Sequence, residues 1–456
     1  MRKGMFWKTM EKIISLLGLY SRAIIMVALC FTNIDSLFGG VDVRIVEFSK
    51  GGWCQFRGPR RDGICDESGL LKRWEDGKPK VIFSITNLGR GYSSPVFDNQ
   101  KLFITGDVGE CLVIFAFDLN GKFLWKTTNG AAWKGPYPGS RASCVVDGER
   151  LYNINAHGRL GCFNAGNGQE VWSVDLLEKF DGKEITWGLG ECPIVDENFV
   201  YAVIGGARGL MAAFNKTNGA PVWISGPLKL GESIPPQHQR VSEPAGEVDS
   251  ASYSSPIMFE FNATRYIAGC SLRHIFIINA KTGKLVCTRP MPTRYQVIAS
   301  MPVLIKDLIF FTAPDAGGGS LYRIEPYQDG VILNKIWTTP LDTCHGGIVA
   351  INNALYGSFY RDKKGWGVIS LKDGSILYHL TTIAMGSLLY ADGRLYCLSQ
   401  EGDMTLIEPK PNSLEIISRF KLVEGRRSDV WAHPVIYKKR MYLRYHESLY
   451  CYDVAE

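Results

Sequence analysis

An all-β ring of eight four-stranded antiparallel blades is the fold class the sequence predicts, and three observations predict it. A strand, a tight glycine turn and a second strand recur along the chain. A proline or other small or apolar residue opens an apolar strand at near-constant spacing. The two ends of the chain carry complementary halves of one unit.

The chain has 456 residues, 46% hydrophobic and 21% charged, with 49 glycines and 21 prolines. That composition is globular and turn-rich, and it excludes disorder, collagen-like structure and a polytopic membrane protein. Net charge is +6, from 51 Lys and Arg against 45 Asp and Glu, too small for this length to imply a nucleic-acid partner. The twelve cysteines contain no Cys-x-x-Cys, so neither a zinc knuckle nor covalent haem attachment is read. Most, such as Cys144 and Cys397, sit in apolar strand patterns that suit buried thiols. Cys54 and Cys65 are the best candidates for a disulfide.

In chain order, Arg2, Lys3, Lys8, Lys12 and Arg22 precede the apolar run Ala23 to Phe31. Residues 1–40 are therefore expected to be a signal peptide or N-terminal membrane anchor, which places the protein outside the cytoplasm, in the periplasm or cell envelope. Residues 41–456 are expected to form one domain. Its turn appears at Ala116 to Trp125 around Asn120-Gly121, at Cys162 to Trp172 around Asn167-Gly168, and at Ala213 to Trp223 around Asn218-Gly219, with weaker copies at Thr282-Gly283 and Asp373-Gly374. Glycine supplies the positive φ of such hairpins. The strand-opening anchors are Pro95, Cys144, Pro193, Pro256, Pro302, Ile348, Leu388 and Pro434, at intervals of 49, 49, 63, 46, 46, 40 and 46 residues. Each interval is the length of one propeller blade. The long one holds an insertion over about 227–252, read as a surface loop near the channel mouth whose functional version is a lid. The last unit stops at Cys451 to Val454 without its outer strand, and Val81-Ile82-Phe83, after Asp76-Gly77-Lys78, supplies it. Pairing the N-terminal strand with the C-terminal strands closes the ring and removes its free edges.

These turns, with Trp125, Trp172 and Trp223 at their ends, resemble the repeats of the quinoprotein alcohol dehydrogenase-like propellers, built from pyrroloquinoline quinone (PQQ) type repeats. The resemblance spans about residues 52 to 454 and implies eight blades with tryptophans docked between neighbours. Trp53-Cys54-Gln55-Phe56-Arg57-Gly58-Pro59 with Arg61-Asp62-Gly63 looks like the start of a secreted subgroup of these propellers. The repeat speaks to fold rather than activity, since the fold hosts both enzymes and scaffolds.

The residues just before each anchor form a ring around one channel mouth. From that ring Tyr92, Arg141, Trp187, Glu191, Tyr253, Ser254, His345, Trp431 and His433 are expected to bind a polar or planar ligand. Arg141 and Glu191 pair with each other in the purely structural alternative. His345 and His433 come from nonadjacent blades, and two histidines with no further ligand series do not make a metal site. Gly317-Gly318-Gly319 is followed by no Lys-Ser or Lys-Thr and is not a phosphate loop.

Two functions fit. The favoured one is a monomeric, non-catalytic scaffold, similar in kind to outer-membrane-assembly propellers, holding a protein, glycan or small molecule at the mouth. The other is a divergent PQQ-dependent oxidoreductase acting on an alcohol or sugar, with Ca²⁺, Arg141 on a quinone carboxylate and Trp187 or Trp431 beneath the ring. The resemblance implies a vicinal Cys-Cys disulfide in such enzymes, and no two cysteines here are adjacent.

Overall fold

The computed structural model describes residues 42–48, 52–230, 247–315, 317–361, 363–425 and 428–456. The expected signal or anchor over 1–40, and residues 231–246 of the insertion with its reading as a lid, lie outside them.

Apolar side chains alternate with glycine turns along the chain, so each period folds as an antiparallel sheet, and eight sheets form. Blades 1 to 7 run consecutively over 96–131, 145–175, 194–224, 257–290, 303–339, 349–380 and 386–421. Blade 8 combines Val435–Tyr437, Arg440–Tyr445 and Ser448–Asp453 with the outer strand Val81–Ile85. That strand is antiparallel to Ser448–Asp453, with Val81 opposite Tyr452 and Ile85 opposite Leu449. The ring is thus closed as the complementary ends predict. Among the described residues the one α-helix is Leu176–Phe180, capped by Asp175, which accepts from the Glu178 N–H at 3.0 Å.

The hairpin glycines have a second task besides positive φ. A Cβ on Gly168 would lie 2.5 Å from the ring of Trp125, and one on Gly219 2.6 Å from that of Trp172. Gly283 stands in the same relation to Trp223, and Gly374 to Trp337. Each tryptophan therefore lies flat on the turn of the following blade, and Trp172, Trp223 and Trp337 each donate Nε1–H to a carbonyl there at 3.0–3.1 Å. Trp337 extends to blade 5 the docking implied for the first three blades.

Two short strands add to the inner edges. Val43–Ile45 pairs antiparallel with Ile257–Phe261 of blade 4, and Ile64–Cys65 pairs parallel with Gly386–Ala391 of blade 7. The first strand of every blade descends from the mouth, so residues 43–48 climb the channel from the far face and residues 64–66 return to it. At the far face Asp42 accepts from the Asn262 N–H at 2.9 Å, and the Glu67 carboxylate accepts from the Lys438 and Lys439 N–H groups at 2.7 and 2.6 Å. Residues 52–65 form a re-entrant loop filling the axis. Cys54 and Cys65, in this loop, are thiols rather than a cystine: Cys54 Sγ donates to the Phe48 carbonyl at 3.3 Å and Cys65 Sγ to that of Ile436 at 3.7 Å.

The ends of the insertion pair with each other, Leu230 N–H donating to Glu247 O and Asp249 N–H to Leu228 O. Asp249 is buried and accepts from Ser271 Oγ, Arg273 Nη1 and His274 Nδ1 at 2.6–3.1 Å, which fixes the return point on blade 4.

Candidate functional site at the channel mouth

Antiparallel blades send two sets of loops to the mouth face: those joining consecutive blades and those joining the second and third strands of one blade. Together they enclose a cavity of about 350 Å³. Seven of the nine residues read from the sequence line it: Tyr92, Arg141, Trp187, Tyr253, His345, Trp431 and His433. Trp431 lies centrally, its ring 4.5 Å from His345, 4.8 Å from Tyr92 and 4.9 Å from Tyr137. Trp187 meets Tyr253 edge-on at 5.7 Å on the opposite wall.

Glu191 and Ser254 do not line the cavity. Glu191 turns down behind the wall, and both carboxylate oxygens accept from the Val203 N–H, at 3.1 and 3.0 Å. It makes no pair with Arg141, whose guanidinium is taken up by the carbonyls of Trp187, Gly139, Pro136 and Tyr137 at 2.5–3.0 Å. Ser254 Oγ donates to the Ser300 carbonyl of the next blade at 2.9 Å. Other serines of the ring do the same: Ser387 Oγ donates to Ala432 O, Ser143 Oγ to Ser94 O, and Ser94 Oγ to His433 O. They couple neighbouring blades where side chains must be small.

The structure adds lining residues that the sequence reading passed over. Asp315, Tyr360 and Arg361 come from the loops between second and third strands, Tyr295 from higher in an inter-blade loop, and Phe56 from the re-entrant loop. Arg361 pairs with Asp315 at 3.2 Å and lies over the rings of Tyr360 and Tyr295, at 5.1 and 5.4 Å. The signal that finds the first three is topological, because the same count that places inter-blade loops at the mouth places these there too.

Burial dominates the electrostatics. It holds the imidazoles of His345 and His433 neutral, with pKa values lowered to about 4 and about 3, and the Arg57 guanidinium adds to the effect on His433. His433 Nε2 lies 2.8 Å from the His345 carbonyl, which can only accept, so Nε2 carries the proton and Nδ1 accepts from Arg57 Nη1 at 3.3 Å. Neutral imidazoles this weakly basic are poor general bases at pH 7.

Burial also raises the Glu191 carboxyl to about 8, which gives a pH prediction. An acid whose pKa rises on folding is equally protonated in both states below its unfolded value of 4.5. Between there and about 8 the unfolded chain ionises while the folded one resists, so stability falls as pH rises, in total by on the order of 5 kcal/mol. Glu191→Gln is expected to flatten the melting temperature between pH 5 and 8 relative to the native chain. Parallel profiles for the two proteins would refute the assignment.

A family model described as outer membrane protein assembly factor BamB, built on PQQ-type repeats, matches residues 109–401. The chain belongs to that family. Among solved structures, BamB from Moraxella catarrhalis superposes at a TM-score of 0.54 and 12% identity, covering 82% of this chain and 98% of that one. The quinohemoprotein alcohol dehydrogenase from Comamonas testosteroni does so at 0.61 and 13%, covering 89% and 80%. The computationally designed Ika8 protein gives 0.54 and 11%, covering 82% and 100%. Likenesses at this identity speak to the fold alone. No curated protein matches the sequence.

PQQ is a planar tricarboxylate, and binding it with Ca²⁺ asks for several oxygen ligands and for cations with donors to spare. Among the described residues Asp315 is the one carboxylate lining the cavity, and it is committed to Arg361. Arg141 is engaged by four carbonyls. No three His, Cys, Asp or Glu among the described residues are grouped to hold a metal. This donor set does not suit a calcium-bound quinone.

Proposed function

We propose that this protein is a non-catalytic, extracytoplasmic, monomeric binding propeller of the BamB-described family, and that the channel mouth holds an aromatic-bearing segment of a partner protein. The observation that carries the reading is the composition and state of the mouth. Tyrosine, tryptophan and arginine crowd it, the residue types that dominate protein recognition because they bury large area at low entropic cost. Arg141 is held by backbone carbonyls and Asp315 is paired with Arg361, and the two imidazoles are too weakly basic to move protons efficiently near neutral pH. The family's description as an outer membrane assembly factor and the basic, then apolar, N-terminal sequence both support a place in the cell envelope.

The test is a fluorescence-polarisation screen of the purified protein with tagged short peptides, each carrying one tryptophan, beside a titration with PQQ and Ca²⁺ scored by reduction of an artificial electron acceptor. Saturable peptide binding is expected, weakened at least about 30-fold by Trp431→Ala, the scale of a central aromatic anchor. Saturable PQQ binding with alcohol- or sugar-dependent dye reduction would overturn the proposal in favour of the oxidoreductase.

A further inference from the structure

We propose that the tip of the re-entrant loop is the working floor of the mouth site, with Phe56 as its specificity-determining side chain and Arg57 as the residue that positions it. This rests on the reading of the mouth as a binding site.

A ring of eight blades surrounds an open axis, and each innermost strand presents unpaired N–H and C=O groups to it. The loop satisfies that edge in six of the eight blades and reaches a seventh through a side chain. Its backbone carbonyls at Trp53, Cys54 and Gly63 accept from Phe97 of blade 1, Val146 of blade 2 and Tyr390 of blade 7, while Val46 N–H donates to Met258 of blade 4. Arg61 reaches the carbonyls of Cys192 and Pro193 at the start of blade 3 and of Pro256 at the start of blade 4. Arg57 reaches Ile348 O, before blade 6, at 2.5 Å and His433, before blade 8.

The two arginines divide the work. Arg61 acts on blades 3 and 4 through backbone alone. Arg57 is 2% exposed, forms no hydrogen bond to a carboxylate among the described residues, and occupies a cradle that two left-handed glycines leave open: a Cβ on Gly63 would lie 2.6 Å from Nη2, and one on Gly347 would overlap Nη1. From that cradle it fixes His433, which bonds the carbonyl of His345, whose ring lies against Trp431. Arg57 thereby connects the loop to the aromatic wall. Its neighbour Phe56 is half-buried, meets His433 edge-on at 4.8 Å and closes the cavity from below. A filler of the axis would hide its apolar side chains; this loop presents one upward, where an inserted aromatic group would rest.

The experiment has two arms. Maleimide labelling of folded Phe56→Cys is expected to run at least 10-fold faster than labelling of the native chain; equal rates would show that the tip does not face the mouth and overturn the proposal. In the second arm, the tagged tryptophan peptides are titrated. Phe56→Ala is expected to weaken binding about 10-fold while keeping a cooperative melting transition above the assay temperature, and Arg57→Ala to weaken it likewise with partial rescue in Arg57→Lys. If Arg57→Ala fails to fold, Arg57→Lys and Phe56→Ala decide. Binding lost in Trp431→Ala but retained in Phe56→Ala would overturn the floor while leaving the mouth reading intact. If the native protein binds none of the peptides, the specificity role falls with the mouth reading, and the labelling arm alone judges whether the tip forms the floor.

Discussion

Replacing Arg61 by methionine is expected to lower the melting temperature more than removing any side chain that lines the mouth cavity. Arg61 is 3% exposed. Its Nε donates to Gln55 Oε1 at 2.8 Å, Nη1 to Cys192 O and Pro256 O at 3.0 Å each, and Nη2 to Pro193 O. Burial pulls its pKa down, because the site disfavours the charged form. Buried ionic groups are often replaced by apolar ones without loss, since the desolvation cost disappears with the charge. That argument needs every partner to be replaceable, and here three of the four are backbone carbonyls. Methionine fills a similar length and donates nothing, so the acceptors stay buried and unmatched at about 1–3 kcal/mol each. A net loss of roughly 3 kcal/mol or more is expected after the relief of desolvation. Arg61→Lys, which keeps the charge on a single centre, is expected to fall between the two. Denaturant midpoints measure the difference, and a midpoint shared by Arg61→Met and the native chain would show that the loop does not pin blades 3 and 4.

This loop is also where reading from the sequence stops. The ring was legible because its signal is periodic: a glycine turn that must accommodate the preceding blade's tryptophan repeats in form, and Trp125, Trp172 and Trp223 mark it even where strands diverge. The closing strand was legible because a missing half-unit at one end has a matching half at the other. Residues 52–65 occur once and have no period. Buried arginines that bind carbonyls look in sequence like the exposed arginines of any turn, and only the axis of the assembled ring supplies their acceptors. The mouth was half legible for a related reason. Position in the ring placed Tyr92, Arg141, Trp187, Tyr253, His345, Trp431 and His433 at the cavity. Position does not fix side-chain direction, however, and Glu191 turns toward the Val203 amide instead. Asp315 and Arg361 lie on the loops between second and third strands, which the anchor spacing, marking only the loops between blades, does not point to.

Two devices close the ring, and a substitution at the second tests whether they cooperate. Exchanging Val81–Ile85 for a glycine–serine segment of equal length is expected to open the junction between blades 8 and 1. Val81 and Ile82 are 43% and 38% exposed, whereas Ile85 is buried and Phe83 packs on Tyr442 and fills the space above Gly121 of blade 1. Losing the two inward side chains removes on the order of 3–5 kcal/mol of burial. Without that packing, and with glycine's low strand propensity, the segment no longer holds its place on Ser448–Asp453, which is left as a bare edge. The re-entrant loop still holds six blades by their inner edges and touches blade 8 through His433, so the chain is not expected to unravel. It is expected to present that edge to another copy, since an unpaired strand is a template for pairing. Light scattering is then expected to show concentration-dependent oligomers for the variant and none for the native protein at the same concentrations. A variant that stays monomeric with an unchanged melting temperature would show that the outer strand is dispensable. Combined with Arg61→Met, the exchange removes constraints from both the rim and the axis of one ring. Because each device limits how far the blades separate when the other fails, the double variant is expected to lose more stability than the two single losses added together. Strict additivity would mean that rim and axis hold the ring independently.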